Sequence, residues 1–214
     1  MKLYTYYRSS AAFRVRIALN LKGVSYEAIP VHLLRNGGEQ HAQNYRALNP
    51  MAVVPTLITD TSTLVESMAI IEWLDETQPG PGLMPHDADG RARVRALAQA
   101  VACEIHPLNN TRVLNYLTGD LGLSEEQKNR WYRHWVERGL AAVEAMLAND
   151  RRTGNFCHGD APTMADCCLV PQVFNARRYN CSLAEMPTIN RIVAYCETLP
   201  AFQRAMPANQ PDAE

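Results

Sequence analysis

The stretch Arg8–Leu19 reads Arg-Ser-Ser-Ala-Ala-Phe-Arg-Val-Arg-Ile-Ala-Leu, and it joins a short aromatic strand to a helix. Apolar residues recur at helical spacing from Ser10 to Lys22, and Gly23 follows as a natural end. Ser9 and Ser10 therefore stand at the helix N-terminus, where unpaired backbone N–H groups and the helix dipole favour an anion such as a thiolate. Taken alone, the same pattern also predicts a serine that only caps the helix.

Short strands and helices alternate over residues 1–78, on both sides of that stretch. Pro30 in the second strand favours a sheet edge, because proline cannot donate to a neighbouring strand. Asn49-Pro50 ends the second helix, and a hairpin and a third helix follow. The predicted elements are strand Leu3–Tyr6, helix Ser10–Lys22, strand Tyr26–Val31, helix Glu39–Leu48, hairpin strands Thr56–Thr59 and Leu64–Val65, and helix Ser67–Glu76. The order βαβαββα is that of an α/β thioredoxin-like layer, which binds ligands at strand ends.

Residues 79–89 form the best candidate for a domain linker, because three prolines and two glycines prevent a helix there. Only helical patterns follow, so residues 90–214 are predicted to form an all-helical domain. Pro107 is expected to bend the first of its helices. The tail Pro207–Glu214 is expected to be mobile. The predicted helices are Arg91–Tyr116, Ser124–Asn149, Thr163–Asn175 and Pro187–Thr198.

Length and composition limit the classes of function. The chain has 214 residues, 47% of them hydrophobic and 20% charged, which is enough for a sizeable core and excludes disorder as its main state. Its 21 Lys and Arg against 22 Asp and Glu give a formal net charge of -1, so nucleic acid and membrane surfaces are not expected partners. No apolar run reaches the roughly 18 residues of a membrane span, and Met1–Arg8 is unlike a signal peptide, so a cytoplasmic location is expected.

Cysteine spacing gives no sign of a metal site. The six cysteines all lie beyond residue 100, without a Cys-x-x-Cys pair or zinc-ligand spacing, so reduced and mostly buried thiols are expected. Thr163 and Asp166 are predicted to form a capping box, which is a structural role. The aromatic group Trp131, Tyr132 and Trp135 is expected to serve packing or an interface.

Two further segments of the first domain carry ligand-binding signals. Val54-Pro55 precedes the third strand, where a cis peptide bond would expose the Val54 N–H and C=O to an extended peptide, although only about 5% of X-Pro bonds are cis. Glu66-Ser67 opens the third helix, where a hydroxyl and backbone N–H groups bind a carboxylate and the Glu66 side chain binds an ammonium group. The alternative for this pair is a plain N-cap with an acid in a favourable place.

Together these features resemble the cytosolic glutathione transferases, and in particular their zeta class. Ser9–Leu19 is similar to the zeta motif Ser-Ser-Cys-x-Trp-Arg-Val-Arg-Ile-Ala-Leu, with Ala11 in place of the cysteine and Phe13 in place of the tryptophan. Four more stretches are similar to that class, and the likeness runs over nearly the whole chain. They are Ala47–Pro50, Val54–Leu57, Ala69–Glu72 and Leu169–Val173.

The resemblance implies a glutathione-dependent cis-trans isomerase. It would act as a homodimer on a dianionic diketo acid, maleylacetoacetate or maleylpyruvate, in aromatic-compound breakdown. Glutathione would be the cofactor: its thiolate adds to the cis double bond, the bond rotates while it is single, and elimination returns the thiolate. The resemblance assigns thiol activation to Ser9 or Ser10. It assigns glutathione binding to Ser10, Gln40, Val54, Pro55, Glu66, Ser67, His106 and Asn110, and substrate binding to Arg8, Arg112 and Arg178, whose charges would neutralise the carboxylates.

Two other functions remain open at this point. A glutathione transferase that conjugates or dehalogenates small electrophilic acids would use the same thiolate without returning it, and would consume glutathione one for one. A non-catalytic module with this fold would fail to bind glutathione at millimolar concentration. The intact pairs Ser9-Ser10, Val54-Pro55 and Glu66-Ser67 argue against such a module.

Overall fold

Four short strands form the mixed sheet on which the first part of the chain is built. The computed structural model describes residues 1–214. These residues form two compact units: the first contains residues 1–83 and 197–214, and the second contains residues 84–196. The strands are β1 (Lys2–Thr5), β2 (Glu27–Pro30), β3 (Thr56–Ile58) and β4 (Thr63–Val65), in the spatial order β2-β1-β3-β4. β1 is parallel to β2 and antiparallel to β3, which is antiparallel to β4. Pro30 thus lies in an edge strand, as predicted.

Three helices alternate with these strands and confirm the predicted order βαβαββα. They are α1 (Ser10–Leu21), α2 (Gln43–Leu48) and α3 (Ser67–Thr77). Every residue of α1 from Ala12 to Leu19 is buried, which is typical of a core helix rather than a surface helix. The prediction of one helix over Glu39–Leu48 is wrong, because Ala42 is extended (φ -62°, ψ 142°) and separates a 3₁₀ turn at Glu39–His41 from α2.

The second unit is helical apart from one isolated β-bridge. The prediction of a single helix over Arg91–Tyr116 is wrong: a π-helical turn at Ala100–Ile105 and an extended Asn110 divide it. Pro107 lies in the first turn of the short helix that follows, where a proline is tolerated. No helix of the chain is both long and apolar enough to span a bilayer. The helices here are α4 (Ala88–Gln99), α5 (His106–Asn109), α6 (Thr111–Gly119), α7 (Glu125–Ala148), α8 (Met164–Arg178) and α9 (Pro187–Glu197).

The aromatic group on α7 serves packing, which was one of its two expected roles. Tyr132 is buried and its ring stacks on that of Tyr179 with centroids 3.7 Å apart. Trp131 Nε1 donates to the Leu108 carbonyl at 2.7 Å, and its ring meets the edge of Trp135. These contacts join α7 to the helices around it.

The C-terminal segment, residues 197–214, lies with the first unit, whereas the sequence predicts one helical domain over residues 90–214. Its helix α10 (Pro200–Ala205) contacts α1. Arg16 Nε donates to the Ala205 carbonyl at 3.1 Å, and Asn20 Nδ2 donates to the Ala201 carbonyl at 2.9 Å. These bonds attach the segment to the core of the first unit.

The tail Pro207–Glu214, expected to be mobile, is instead bonded to its surroundings. The buried Gln210 side chain donates to two carbonyls of the preceding turn, both at 2.8 Å. Asp212 accepts a hydrogen bond from the backbone of Tyr7, which lies 205 residues earlier in the chain. The prediction was wrong because a short polar stretch carries no sequence signal for partners so far away.

Asp166 completes the predicted capping box at the start of α8. Its Oδ2 accepts hydrogen bonds from the Thr163 N–H at 2.7 Å and from the Thr163 hydroxyl at 2.8 Å. Its Oδ1 accepts a third bond from the Cys157 N–H at 2.8 Å. The Asp166 side chain is fully buried, so its donors have no access to water. The structural role of this motif is confirmed.

Asp166→Ala is expected to lower the free energy of unfolding by about 3 kcal/mol or more, because three buried donors lose their acceptor at about 1–3 kcal/mol each. Chemical denaturation of the purified protein measures the change. Asp120→Ala, at an exposed aspartate, is the control and should change stability by less than about 0.5 kcal/mol. Equal losses in the two variants would contradict the assignment.

Candidate functional site

One edge of the sheet gathers the segments of the first unit that the sequence predicts to bind a ligand. Tyr4 in β1 pairs with Thr56 in β3, and Thr56 pairs with Val65 in β4. The end of β1, the start of β3 and the end of β4 therefore lie at the same edge. β2 runs parallel to β1, so it also ends there. The segments that leave or enter the sheet at this edge contain Ser9-Ser10, Gln40, Val54-Pro55 and Glu66-Ser67.

Ser9 and Ser10 both stand at the start of α1, in different surroundings. Ser9 is the half-buried N-cap, and its Oγ accepts a hydrogen bond from the Ala12 N–H at 3.2 Å, which leaves its own hydroxyl proton to donate. Ser10 is only 4% exposed. The Ala11 N–H has no acceptor within the chain. A capping serine, an unused N–H and the positive end of the helix dipole are together the features that favour an anion.

The Val54-Pro55 segment has the cis geometry that the sequence analysis considered for it. The Val54–Pro55 peptide bond is cis, and neither the N–H nor the C=O of Val54 forms a hydrogen bond within the chain. The preceding Val53 carbonyl is held by Tyr45 Oη at 2.7 Å and Asn49 Nδ2 at 2.8 Å. α2 and its C-cap thus anchor this segment while the Val54 groups stay available to an extended peptide.

Glu66 and Ser67 form the third segment at this edge. Glu66 adopts φ 67°, a left-handed conformation that costs free energy in a residue other than glycine. Its side chain makes no capping bond, so the plain N-cap interpretation does not account for it. Ser67 is buried in the first turn of α3, and its Oγ accepts a bond from Arg14 Nη1 at 3.3 Å. A hydroxyl at a helix N-terminus, backed by a guanidinium, suits a carboxylate.

Gln40 presents a buried acceptor at the same edge. Its Nε2 donates weakly to the Leu33 carbonyl at 3.4 Å, whereas its Oε1 is buried and has no partner. The side chain folds back over Gly38, where φ is 100° and a Cβ would lie 2.5 Å from the Gln40 Nε2. An acceptor without a donor in a folded protein points to a ligand or a water molecule.

Arg8 is the predicted substrate cation of the first unit. Its Nε and Nη2 donate to the Tyr6 Oη at 3.2 and 2.7 Å. Its guanidinium lies 5.6 Å from the ring centre of Tyr6 and 5.1 Å from that of Tyr7. Burial raises the pKa of the Tyr6 phenol, which therefore stays neutral and accepts these bonds. The charge next to Ser9 in the chain is thus held in place.

Two buried arginines of α1, for which the sequence predicts no role, support these segments. Arg14 is 2% exposed and bonds Ser67. Arg16 is 0% exposed and donates to the carbonyls of Tyr6 and Tyr7, at 3.3 and 2.9 Å. Burial lowers the pKa of Arg16 to about 10, so it remains charged at neutral pH. The available sequence signal was two charges within an otherwise apolar helix.

The predicted residues of the second unit lie on three different helices. His106 begins α5 and is half-buried. Asn110 caps α6, where its Oδ1 accepts from the Arg112 N–H at 3.1 Å, which is a structural role. The side chains of Arg112 and Arg178 are exposed, and Arg178 Nη1 donates to Asn175 Oδ1 at 2.9 Å. Their roles toward a ligand stay predictions.

The chain has no thiol of its own in these segments. Ala11 stands where the zeta motif has cysteine, and all six cysteines are reduced thiols of the second unit. Five are buried and Cys103 is exposed, which confirms the expected pattern. Burial raises the pKa of Cys181 to about 11, and the pKa values of Cys157 and Cys167 well above the ordinary value. Protonated buried thiols are inert, and the segments at this edge contain no cysteine, so a ligand would have to supply any nucleophilic sulfur held by them.

A colorimetric thiol reagent is expected to modify one cysteine, Cys103, quickly in the folded protein, and all six after denaturation. Cys103→Ala should abolish the fast reaction, because the remaining thiols are buried. Cys181→Ala, at a buried thiol, is the control and should leave the fast reaction unchanged. Fast modification of two or more thiols in the folded protein would contradict the assigned burial.

Comparison with protein families identifies both parts of the chain. Residues 3–82 match the model of the glutathione S-transferase N-terminal domain. Residues 125–198 match the model of the glutathione S-transferase C-terminal domain. The two matches together cover more than half of the chain.

Similar proteins match over the full length. The maleylpyruvate isomerase of Ralstonia sp is 51% identical over 214 residues, which is 100% of each chain. The holo structure of a maleyl pyruvate isomerase, described as a bacterial glutathione S-transferase of the zeta class, matches with a TM-score of 0.97 and 50% identity over 100% of each chain. A maleylacetoacetate isomerase from Methylobacterium extorquens AM1, with malonate and glutathione bound, matches with a TM-score of 0.96 and 41% identity, again over 100% of each chain.

Proposed function

The chain belongs to the zeta class of the glutathione S-transferase family, and from this we propose that it is a glutathione-dependent cis-trans isomerase. The proposed substrate is maleylacetoacetate or maleylpyruvate, whose cis double bond becomes trans. The observation that carries the proposal is the single sheet edge that holds an anion site, unused peptide groups and a carboxylate site. These are the three features that a γ-glutamyl tripeptide with a reactive thiol requires.

The residues at this edge fit glutathione. The Gln40 Oε1 is a buried acceptor without a partner, and Val54 offers an N–H and a C=O beside Pro55, as the middle of an extended peptide requires. We assign the γ-glutamyl carboxylate to Ser67 and the α3 N-terminus. The γ-glutamyl ammonium group is assigned to Glu66, whose side chain is exposed.

Glutathione, when bound, supplies the thiolate that adds to the double bond, allows it to rotate and leaves unchanged. A free thiol has a pKa of about 8.5 and is mostly protonated at pH 7. The Ser9 hydroxyl and the first-turn N–H groups of α1 favour a negative sulfur, which lowers the thiol pKa. We assign this donor role to Ser9 because it is less buried than Ser10.

The carboxylates of the substrate require cations, and three arginines are proposed for this role. Arg8 is fixed by Tyr6 next to Ser9 in the chain. Arg112 and Arg178 are exposed, so their guanidinium groups are available to a dianion. Cations also stabilise the negative charge that develops as the double bond is lost. His106 and Asn110 are proposed to contact glutathione on the family resemblance alone.

We further propose that the enzyme works as a homodimer in the cytoplasm, in the breakdown of aromatic compounds. The homodimer and the metabolic setting rest on the family resemblance. The six cysteines are reduced thiols, which supports a reducing compartment.

An absorbance assay with purified maleylacetoacetate and maleylpyruvate, with and without glutathione, tests the proposal. We expect at least one of them to be converted to its trans isomer, identified by NMR, only when glutathione is present and with no net loss of glutathione. Loss of one glutathione per turnover would show that the protein is a conjugating transferase and not an isomerase. Absence of glutathione binding at millimolar concentration would contradict both enzyme functions and would indicate a non-catalytic module.

Ser9→Ala is expected to lower kcat by about 10²-fold, because it removes the hydroxyl that favours the thiolate. Ser9→Thr keeps both the hydroxyl and the helix cap, so it should retain most of the activity. Ser10→Ala, at the more deeply buried serine, should have the smaller effect. Steady-state kinetics of the three variants measure these differences, and a larger loss in Ser10→Ala would transfer the role to Ser10.

A further inference from the structure

The loop between β1 and α1 carries both Arg8 and Ser9, yet it has no regular secondary structure. One backbone bond lies within it, from the Ser9 N–H to the Tyr6 carbonyl at 3.0 Å. The position of the loop therefore depends on bonds that come from outside it.

Tyr7 is held on both sides by side chains from distant segments. Its carbonyl accepts a bond from Arg16 Nη2 at 2.9 Å, and its N–H donates to Asp212 Oδ2 at 2.9 Å. Tyr7 is 6% exposed, so water has little access to replace a lost partner. Arg16 also bonds the Ala205 carbonyl, so α1 and the C-terminal segment hold the loop together.

Asp212 and Arg16 also interact by charge. Burial lowers the pKa of Arg16, and the nearby Tyr26 and Asp212 oppose this shift. The carboxylate of Asp212 thus bonds the loop backbone and favours the cation that holds the other side of Tyr7.

We propose that Asp212 is a positioning residue for the reaction, which acts by fixing the Tyr7 N–H and through it the places of Arg8 and the Ser9 hydroxyl. The inference rests on the proposed function for the identity of the nucleophile. Asp212 works through the loop and is not itself a catalytic residue. Misplacement of a reacting group by about 1 Å costs on the order of 10²-fold in rate, so a loosened loop is enough to impair the thiol site.

The other glutathione contacts do not depend on Asp212. Gln40, Val54 and Ser67 lie on separate segments, and none of them is bonded to Asp212. Loss of the Asp212 carboxylate should therefore raise the pKa of the bound thiol and lower kcat, while most of the affinity for glutathione remains. A lower kcat and a higher thiol pKa, with most of the glutathione affinity kept, distinguish positioning of the thiol site from a general loss of structure.

Three variants test the proposal. Asp212→Ala removes the acceptor, and Asp212→Asn keeps an oxygen for the Tyr7 N–H. Asn209→Ala is the matched control: Asn209 Nδ2 donates to the Gln203 carbonyl at 2.7 Å, so this variant loses a bond of the same segment that does not reach the loop. The other bonds of the tail, those of Gln210 and the ion pair of Glu214, involve none of the substituted side chains.

The measurements are kcat and KM for glutathione, the ultraviolet absorbance of bound thiolate against pH, and hydrogen exchange of the Tyr7 amide without glutathione. We expect Asp212→Ala to lower kcat at least tenfold with KM for glutathione changed less than about threefold, to raise the thiol pKa and to speed exchange at Tyr7. Asp212→Asn should restore most of each property, and Asn209→Ala should change none.

Unchanged thiol pKa and kcat in Asp212→Ala would overturn the inference, as would equal losses in Asp212→Ala and Asn209→Ala. Failure of the proposed function has a different signature: the unmutated protein would isomerise neither substrate. The thiolate absorbance and the amide exchange would still decide the role of Asp212 in that case, because neither measurement needs turnover.

Discussion

The guanidinium of Arg16 is a buried charge that requires hydrogen-bond acceptors, and its acceptors come from three parts of the first unit. It is 0% exposed and bonds no carboxylate. Four oxygens offset the cost of its burial, and they come from β1, the loop that follows it, and α10. Since a buried cation without partners is far more costly than a lost contact, these segments have to converge on it. The bonds from Arg16 therefore fix the position of the loop that contains Arg8 and Ser9.

A second arginine of α1, Arg14, bonds a segment on the other side of the helix. Residues two apart on a helix are rotated by roughly 200°, so Arg14 points away from Arg16 and bonds Ser67 at the start of α3. α1, whose N-terminus is the proposed anion site, thus also supports the proposed carboxylate site at the N-terminus of α3. The left-handed Glu66 between β4 and α3 fits this arrangement, because strained residues cluster where a ligand is bound.

Prediction from the sequence succeeded where the signal was local. Helical spacing and turn residues gave the order βαβαββα, and serine at a helix start gave the cap at Ser9. The capping box of Thr163 and Asp166 was found for the same reason. Prediction failed where the backbone departs from a helix inside a helical pattern, as at Ala42 and at the π-helical turn before His106, because side-chain pattern does not report such local changes of backbone geometry.

The sequence by itself determined the secondary-structure order of the first unit, the family and the side chains that gather at one sheet edge, because periodicity, capping and turn chemistry act within a few residues. Only the tertiary structure decided that the C-terminal segment lies with the first unit and that Arg16 and Asp212 hold Tyr7 from both sides. Those partners lie 9 and 205 residues from Tyr7, and a hydrogen bond between such distant positions depends on how the chain packs and leaves no periodic trace along it.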